Sequence, residues 1–170
     1  MAKRPVSLRG VCEKYGKVML DSSVFGGYGK RHDGELNEWI KLIKNYDNIT
    51  TIELVIEEIG KWFSKLNRKR KDKDNRAALK GLINLLEKRV IDAGQTYPAE
   101  LVKLRDIYNL SETDFGILAA SVCLSRISST AVVSNDKPLL NAILDAKKFT
   151  EKELTPHTSL YHDHFYPYDG

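Results

Sequence analysis

The chain has 170 residues, 42% of them apolar, which suits one compact domain with a sizeable core. No run of 18 or more apolar residues is present, which excludes a membrane-spanning helix of ordinary composition. The first residues carry Lys3 and Arg4 but no apolar signal core, so we expect a cytoplasmic protein. The two cysteines, Cys12 and Cys123, form no CxxC pair, which excludes a zinc ribbon.

The net charge of +4 is concentrated in one segment, residues 65–76. This basic segment has seven basic and two acidic side chains, while the rest of the chain is close to neutral. A local basic patch is typical of a polyanion-binding surface, although a run of charges is also what a solvated helix end looks like. Its basic residues are Lys65, Arg68, Lys69, Arg70, Lys71, Lys73 and Arg76.

Apolar periodicity predicts alternating strands and helices along the chain. This order favours a parallel sheet covered by helices on both faces. No internal repeat or second domain is evident. In the first part of the chain we predict a strand at 17–20, a helix at 36–44, a short strand at 48–50 and a helix from 51. After the basic segment we predict a helix at 76–91 that ends in a brief strand, helices at 99–107 and 111–127, a strand at 130–134 and a helix at 137–147.

Four acidic residues stand where these predicted helices begin: Asp21, Glu53, Asp114 and Asp136. Each has a local explanation as a helix cap or as a charge that favours the helix dipole. In a parallel sheet, however, the strand-to-helix turns share one edge, so the four carboxylates would converge there. Converging carboxylates repel one another unless cations lie between them, and oxygen ligands favour Mg²⁺ or Mn²⁺. Such a site suits phosphodiester hydrolysis.

Four segments in this order resemble the acidic motifs of PIN-domain proteins: VMLDSSVF, ITTIELVIEEI, LSETDFGILAAS and AVVSNDKPLLNAI. The resemblance spans residues 17–143 and implies a three-layer α/β/α sandwich with a central parallel sheet. It also implies an Mg²⁺- or Mn²⁺-dependent endoribonuclease, of the toxin or the RNA-processing type. By position in the motifs, the metal-binding and catalytic acids would be Asp21, Glu53, Asp114 and Asp136.

The second motif leaves its acid open. Glu53 follows Thr50 by three residues, as in toxin-type members, but Glu57 lies on the same helix face and is an alternative acid or a helper. Glu58 is disfavoured because it lies one residue off that face. Three further helpers are predicted from their positions beside the acids: Ser22, Ser134 and Asn135.

The resemblance divides the chain into an N-terminal extension (1–16), a PIN-like nuclease domain (17–150) with the basic segment as an insert, and an aromatic, histidine-bearing C-terminal tail (151–170). Single-stranded RNA is the favoured substrate, since a basic groove suits it. The resemblance also suggests a homodimer and an antitoxin or RNA-processing partner. An RNA-binding or scaffolding module without catalysis remains the alternative function.

Overall fold

A computed structural model describes residues 6–25, 35–66, 70–92, 97–160 and 164–170. Seven helices and six strands lie within these ranges. The elements are β1 (Val6–Ser7), α1 (Leu8–Lys14), β2 (Lys17–Leu20), a 3₁₀ turn (Ser22–Val24), α2 (Glu35–Asn45), β3 (Ile49–Thr50), α3 (Glu53–Lys65), α4 (Arg70–Glu87), α5 (Glu100–Tyr108), α6 (Glu112–Ser125), β4 (Thr130–Val133), α7 (Lys137–Ala146), a second 3₁₀ turn (Lys147–Phe149), β5 (Leu154–Leu160) and β6 (His164–Pro167).

The strands form one sheet in the order β1-β6-β5-β4-β2-β3. Its centre, β3-β2-β4-β5, is parallel throughout, as the sequence predicts. All four residues of β4 are buried, which explains why this strand reads as an unbroken apolar run. The brief strand predicted near residue 90 is a single parallel bridge between Thr51 and Val90.

Strands near both ends of the chain, β1, β5 and β6, join the same sheet. β5 pairs in parallel with β4 from Thr130↔Leu154 to Val133↔His157. β6 then pairs antiparallel with β5 and, on its other side, with β1. The antiparallel strands β1 and β6 therefore extend the parallel centre at one edge. Of the tail's histidine pair, His162 lies outside the described residues.

α6 packs against the start of α3 at Gly116. A Cβ atom there would lie only 2.8 Å from Cδ1 of Ile52, so the end of the isoleucine side chain would have to shift. Around it, α6 is buried on most of its surface, with nine buried residues.

Candidate acidic site

The site lies where the order of the strands reverses. β2 and β4 are neighbours in the sheet. From β2 the chain continues to β3 on one side, and from β4 it continues to β5 on the other. Ligands of open α/β sheets bind in the crevice at such a point. Asp21 directly follows β2, Ser134 directly follows β4, and the N–H of Asp21 donates to the carbonyl oxygen of Val133 at 3.0 Å.

Asp21 is the most enclosed acid of the site, with 2% of its surface exposed. Its Oδ2 accepts hydrogen bonds of 2.7 Å from the hydroxyls of Ser23 and Ser134. Its Oδ1 is buried and accepts no hydrogen bond from the residues that the structure describes. Burial raises the pKa of Asp21, and the charge of Asp136 raises it further. A buried oxygen without a partner is costly, so Oδ1 marks a place where a positive ligand would be stabilised.

Asp114 and Asp136 face the same crevice from two helices. Asp114 lies in the first turn of α6, where its N–H donates to Oγ of the helix cap Ser111 at 3.1 Å. Asp136 caps α7, with Oδ1 3.4 Å from the N–H of Leu139. Burial, followed by the charges of Asp21 and Asp136, raises the pKa of Asp114 to about 7. Three of the four predicted acids, Asp21, Asp114 and Asp136, therefore interact electrostatically.

On α3, the glutamate that contacts the segment after β2 is Glu58, which the sequence disfavoured. The hydroxyl of Ser22, the residue after Asp21, donates to Oε2 of Glu58 at 2.5 Å. Ser22 directly follows Asp21, so this bond ties Glu58 on α3 to the end of β2 that carries Asp21. Glu57 is exposed on α3.

Glu53 lies apart from this connection. It is exposed in the first turn of α3 and lines a cavity of about 200 Å³ at the β3 edge of the sheet. The cavity is mostly apolar, and Asp92 is its other acidic residue. The remaining residues that line it are Ile52, Leu54, Val90 and Ile91.

Hydroxyl groups organise the floor of the site. Ser134 Oγ also accepts from the N–H of Asp136 at 2.9 Å, so this predicted helper contacts two of the acids. Ser23, which the sequence analysis did not name, lies 3.2 Å from Ser134 Oγ and accepts from the N–H of Asn135 at 2.9 Å. The amide oxygen of Asn135 accepts from the N–H of Ser159 in β5. Asn135 thus attaches the site to β5 through its side chain.

The basic segment lies at the far end of α3 from Glu53. Lys65 ends this helix of 13 residues, which spans about 18–20 Å. Lys73 is exposed on α4, whereas the guanidinium of Arg76 stacks 4.6 Å from the ring centre of Phe63 and is half-buried. Arg68 and Lys69 lie outside the described residues, and for Arg70 and Lys71 the description covers the backbone alone.

Carboxylate oxygens and an enclosed, unpartnered Oδ1 are a donor set that fits a hard divalent cation. Even so, among the described residues no three His, Cys, Asp or Glu side chains are gathered closely enough to enclose a metal ion. Asp21, Asp114 and Asp136 interact electrostatically, and their side chains would have to close further to share one ion.

Comparison with known proteins supports the fold. The solved structure of FitAB bound to the IR36 DNA fragment aligns with a TM-score of 0.53 and 13% sequence identity, covering 85% of this chain and 99% of that one. A crystal structure of PAE2754 from Pyrobaculum aerophilum aligns with a TM-score of 0.48 and 18% identity, covering 74% and 85% of the two chains. No family model matches the sequence, and no curated protein matches it.

The chain is therefore an α/β protein with a PIN-like fold, which confirms the fold expected from its sequence. The level of identity supports a shared fold and leaves activity to be argued from the site. Within the described ranges, no helix is both long and apolar enough to cross a membrane.

Proposed function

We propose that this protein is a metal-dependent endoribonuclease that hydrolyses phosphodiester bonds at its acidic site. The observation that carries the proposal is Oδ1 of Asp21, a buried carboxylate oxygen without a partner. It lies in the crevice that Asp114 and Asp136 also face, where burial, and with it the charge of Asp136, raises the pKa of both Asp21 and Asp114. A fold that gathers repelling carboxylates in this way is expected to offset the repulsion with a cation.

The residues that would hold Mg²⁺ or Mn²⁺ are Asp21, Asp114 and Asp136, with Glu58 joining from α3. When bound, such an ion lowers the pKa of a water molecule and neutralises negative charge on the phosphate that reacts. The chain's own part is to place the oxygens. Ser23 and Ser134 orient Asp21, the cap of α7 orients Asp136, and Ser111 holds the first turn that carries Asp114. We propose Glu58 as the acid of α3, in place of Glu53 or Glu57, because of its bond to Ser22.

RNA is the proposed substrate on two grounds. The sequence motifs resemble those of PIN-domain ribonucleases, and the basic segment supplies positive charge for a polyanion. Single-stranded RNA is favoured over a duplex, because its unpaired bases and flexible backbone can enter a crevice at a sheet edge.

A second candidate is the toxin of a toxin–antitoxin pair. Its support is the fold shared with FitAB, an assembly solved on a DNA fragment. In this case a protein partner would regulate the same acidic site, and copurification of a small partner protein would separate this role from RNA processing. A homodimer is compatible with either role. A non-catalytic RNA-binding module is the third candidate, and the three converging aspartates argue against it.

The deciding experiment is cleavage of end-labelled single-stranded RNA with Mn²⁺, Mg²⁺ or EDTA, alongside calorimetric titration of Mn²⁺. Asp136→Asn is the best variant because asparagine caps a helix as well as aspartate does, so α7 should stay intact. Asp47→Asn is the matched control, since the side chain of Asp47 is fully exposed. We expect cleavage that needs the metal and is lost, together with Mn²⁺ binding, in Asp136→Asn alone. A folded wild type that neither binds Mn²⁺ nor cleaves would overturn the proposal.

A further inference from the structure

A cluster of two aromatic rings and one arginine lies beside the acidic site. The guanidinium carbon of Arg105 is 5.2 Å from the ring centre of Phe115. Tyr97 contacts the same phenylalanine edge-on, with ring centres 5.3 Å apart and an interplanar angle of 86°. Residues from α5, from α6 and from the segment before α5 thus meet at one point, and we call these three residues the aromatic–arginine cluster.

The position of the cluster relates it to the acids. Phe115 directly follows Asp114 on α6, so their Cα atoms are about 3.8 Å apart. A polynucleotide whose phosphate lies at Asp114 must therefore place neighbouring nucleotides within reach of this part of α6. The cluster is also a different feature from the basic segment, which lies toward the far end of α3.

The exposure of Arg105 argues that the cluster is more than a packing anchor. Tyr97 and Phe115 are half-buried against the core, as an anchor between α5 and α6 requires. Arg105, in contrast, keeps 44% of its side chain exposed, although Phe115 covers part of it. Its nearest acidic group is Asp106, at 3.6 Å, and this pair is exposed to solvent and therefore weak. A guanidinium plane backed by an aromatic ring and open to solvent is a surface on which bases stack.

We propose that the aromatic–arginine cluster is a stacking platform for one unpaired nucleobase of the substrate, with Arg105 as the plane that the base contacts. This inference rests on the proposed function, because it assigns a substrate contact next to the same acidic site. The platform makes the protein favour single strands, since a base in a duplex is already stacked and paired.

The test uses the full chain with Asp136→Asn, which prevents cleavage. It is titrated with a set of single-stranded RNAs, each of which carries 2-aminopurine at a different position. Stacking lowers the fluorescence of this base analogue. Arg105→Ala removes the plane, and Arg105→Lys keeps the charge but removes the plane. Arg126→Ala is the matched control, because it removes an exposed arginine elsewhere. Arg105 and Arg126 are exposed, and asparagine at position 136 can still cap α7, so the variants should fold.

We expect one position whose fluorescence falls on binding, and an affinity about tenfold lower in both Arg105 variants, within the usual effect of losing one stacked base. Replacing the base at that position by an abasic nucleotide should lower the affinity of the Asp136→Asn protein by the same factor. It should leave the affinity of the Arg105 variants almost unchanged. The platform would be overturned if Arg105→Lys binds RNA as tightly as the parent, or if Arg126→Ala loses as much affinity as Arg105→Ala. Neither result would affect the nuclease proposal if the wild type still shows metal-dependent cleavage. Failure of the wild type to bind any RNA overturns the platform and the nuclease together.

Discussion

Ser134 donates its hydroxyl hydrogen to Oδ2 of Asp21 at 2.7 Å, which joins the ends of the neighbouring strands β4 and β2. The same hydroxyl oxygen accepts the N–H of Asp136 at 2.9 Å. One small side chain therefore positions two acids from two strand ends. Because the bond to Asp21 leaves Oδ1 as the oxygen without a partner, Ser134 also determines which oxygen of Asp21 is available to a cation.

Ser134→Ala should lower the affinity for Mn²⁺ by about tenfold or more, the usual cost of losing a group that orients a ligand. Without this donor the carboxylate of Asp21 can rotate, and its charged form is less stabilised. Ser134→Thr keeps the hydroxyl and should bind Mn²⁺ much as the wild type does. Ser64→Ala is the control, since Ser64 bonds only within α3, to the carbonyl of Gly60. Calorimetric titration of Mn²⁺ measures all four proteins, and an unchanged affinity in Ser134→Ala would contradict the orienting role.

Asp114→Asn should make the metal-free protein more stable and the metal-loaded protein less so. Without a cation, the charge of Asp114 is opposed by burial and by Asp21 and Asp136, and asparagine removes that repulsion. In EDTA at pH 8 we expect the free energy of unfolding to rise by about 1–2 kcal/mol, allowing for screening at this half-buried position. Denaturant unfolding with EDTA and with Mn²⁺ gives the comparison. A variant less stable than the wild type in EDTA would mean that Asp114 is held by structural contacts instead.

Glu58→Ala should weaken Mn²⁺ binding and cleavage more than any other single change in α3. The loss follows from its bond to Ser22, the residue that directly follows Asp21. Glu58→Gln should recover part of the loss, since the amide oxygen still accepts from Ser22. Glu87→Ala removes an exposed glutamate at the end of α4 and serves as the control. A larger loss from Glu53→Ala or Glu57→Ala would return the second acid to the residue that the sequence favoured.

The helical periodicity of α3 favours Glu53 and Glu57, which lie on one face of the helix. Helical periodicity tells which residues share a face, but the contact on which we base the proposal of Glu58 is with Ser22, 36 residues earlier on another element. β2, β3 and β4 were predictable because buried parallel strands are apolar runs. β5 was not, because it contains Pro156 and His157, and a proline argues against an interior strand. Ser23 was overlooked for the same reason as Glu58, since its role depends on contacts between distant strand ends.

His157 should make the protein sensitive to acid. It is buried in β5, with Nε2 3.2 Å from the hydroxyl of Tyr15, and burial together with Lys14 lowers its pKa to about 4. Since the pKa of an unfolded histidine is about 6.5, the unfolded chain takes up a proton that the folded protein rejects. The resulting stability is complete above pH 6.5 and is lost as the pH falls toward 4.

The size of the His157 effect can be measured by comparing unfolding at pH 7.5 and pH 4.5. Between these values, the wild type should lose about 2–3 kcal/mol more of its free energy of unfolding than His157→Gln does. Comparing the two pH values within each protein cancels any constant cost of the substitution itself. Equal losses in both proteins would show that other groups cause the acid sensitivity.

Substitutions in the basic segment should affect long substrates and spare short ones. Lys65 and Lys73 are exposed, and Lys65 lies seven residues after Glu58 on α3, about 10–11 Å along the helix axis. A stacked strand needs about three nucleotides to span that distance at 3.4 Å each. We therefore expect Lys65→Ala with Lys73→Ala to lower kcat/KM and flatten its salt dependence for a twelve-nucleotide RNA. For a four-nucleotide RNA cut at its central bond, two nucleotides on either side do not reach Lys65, and both quantities should stay at the wild-type level. An equal loss of kcat/KM for the two lengths would mean that these lysines act through the general charge of the protein. An unchanged salt slope for the long RNA would show that the segment is a solvated helix end.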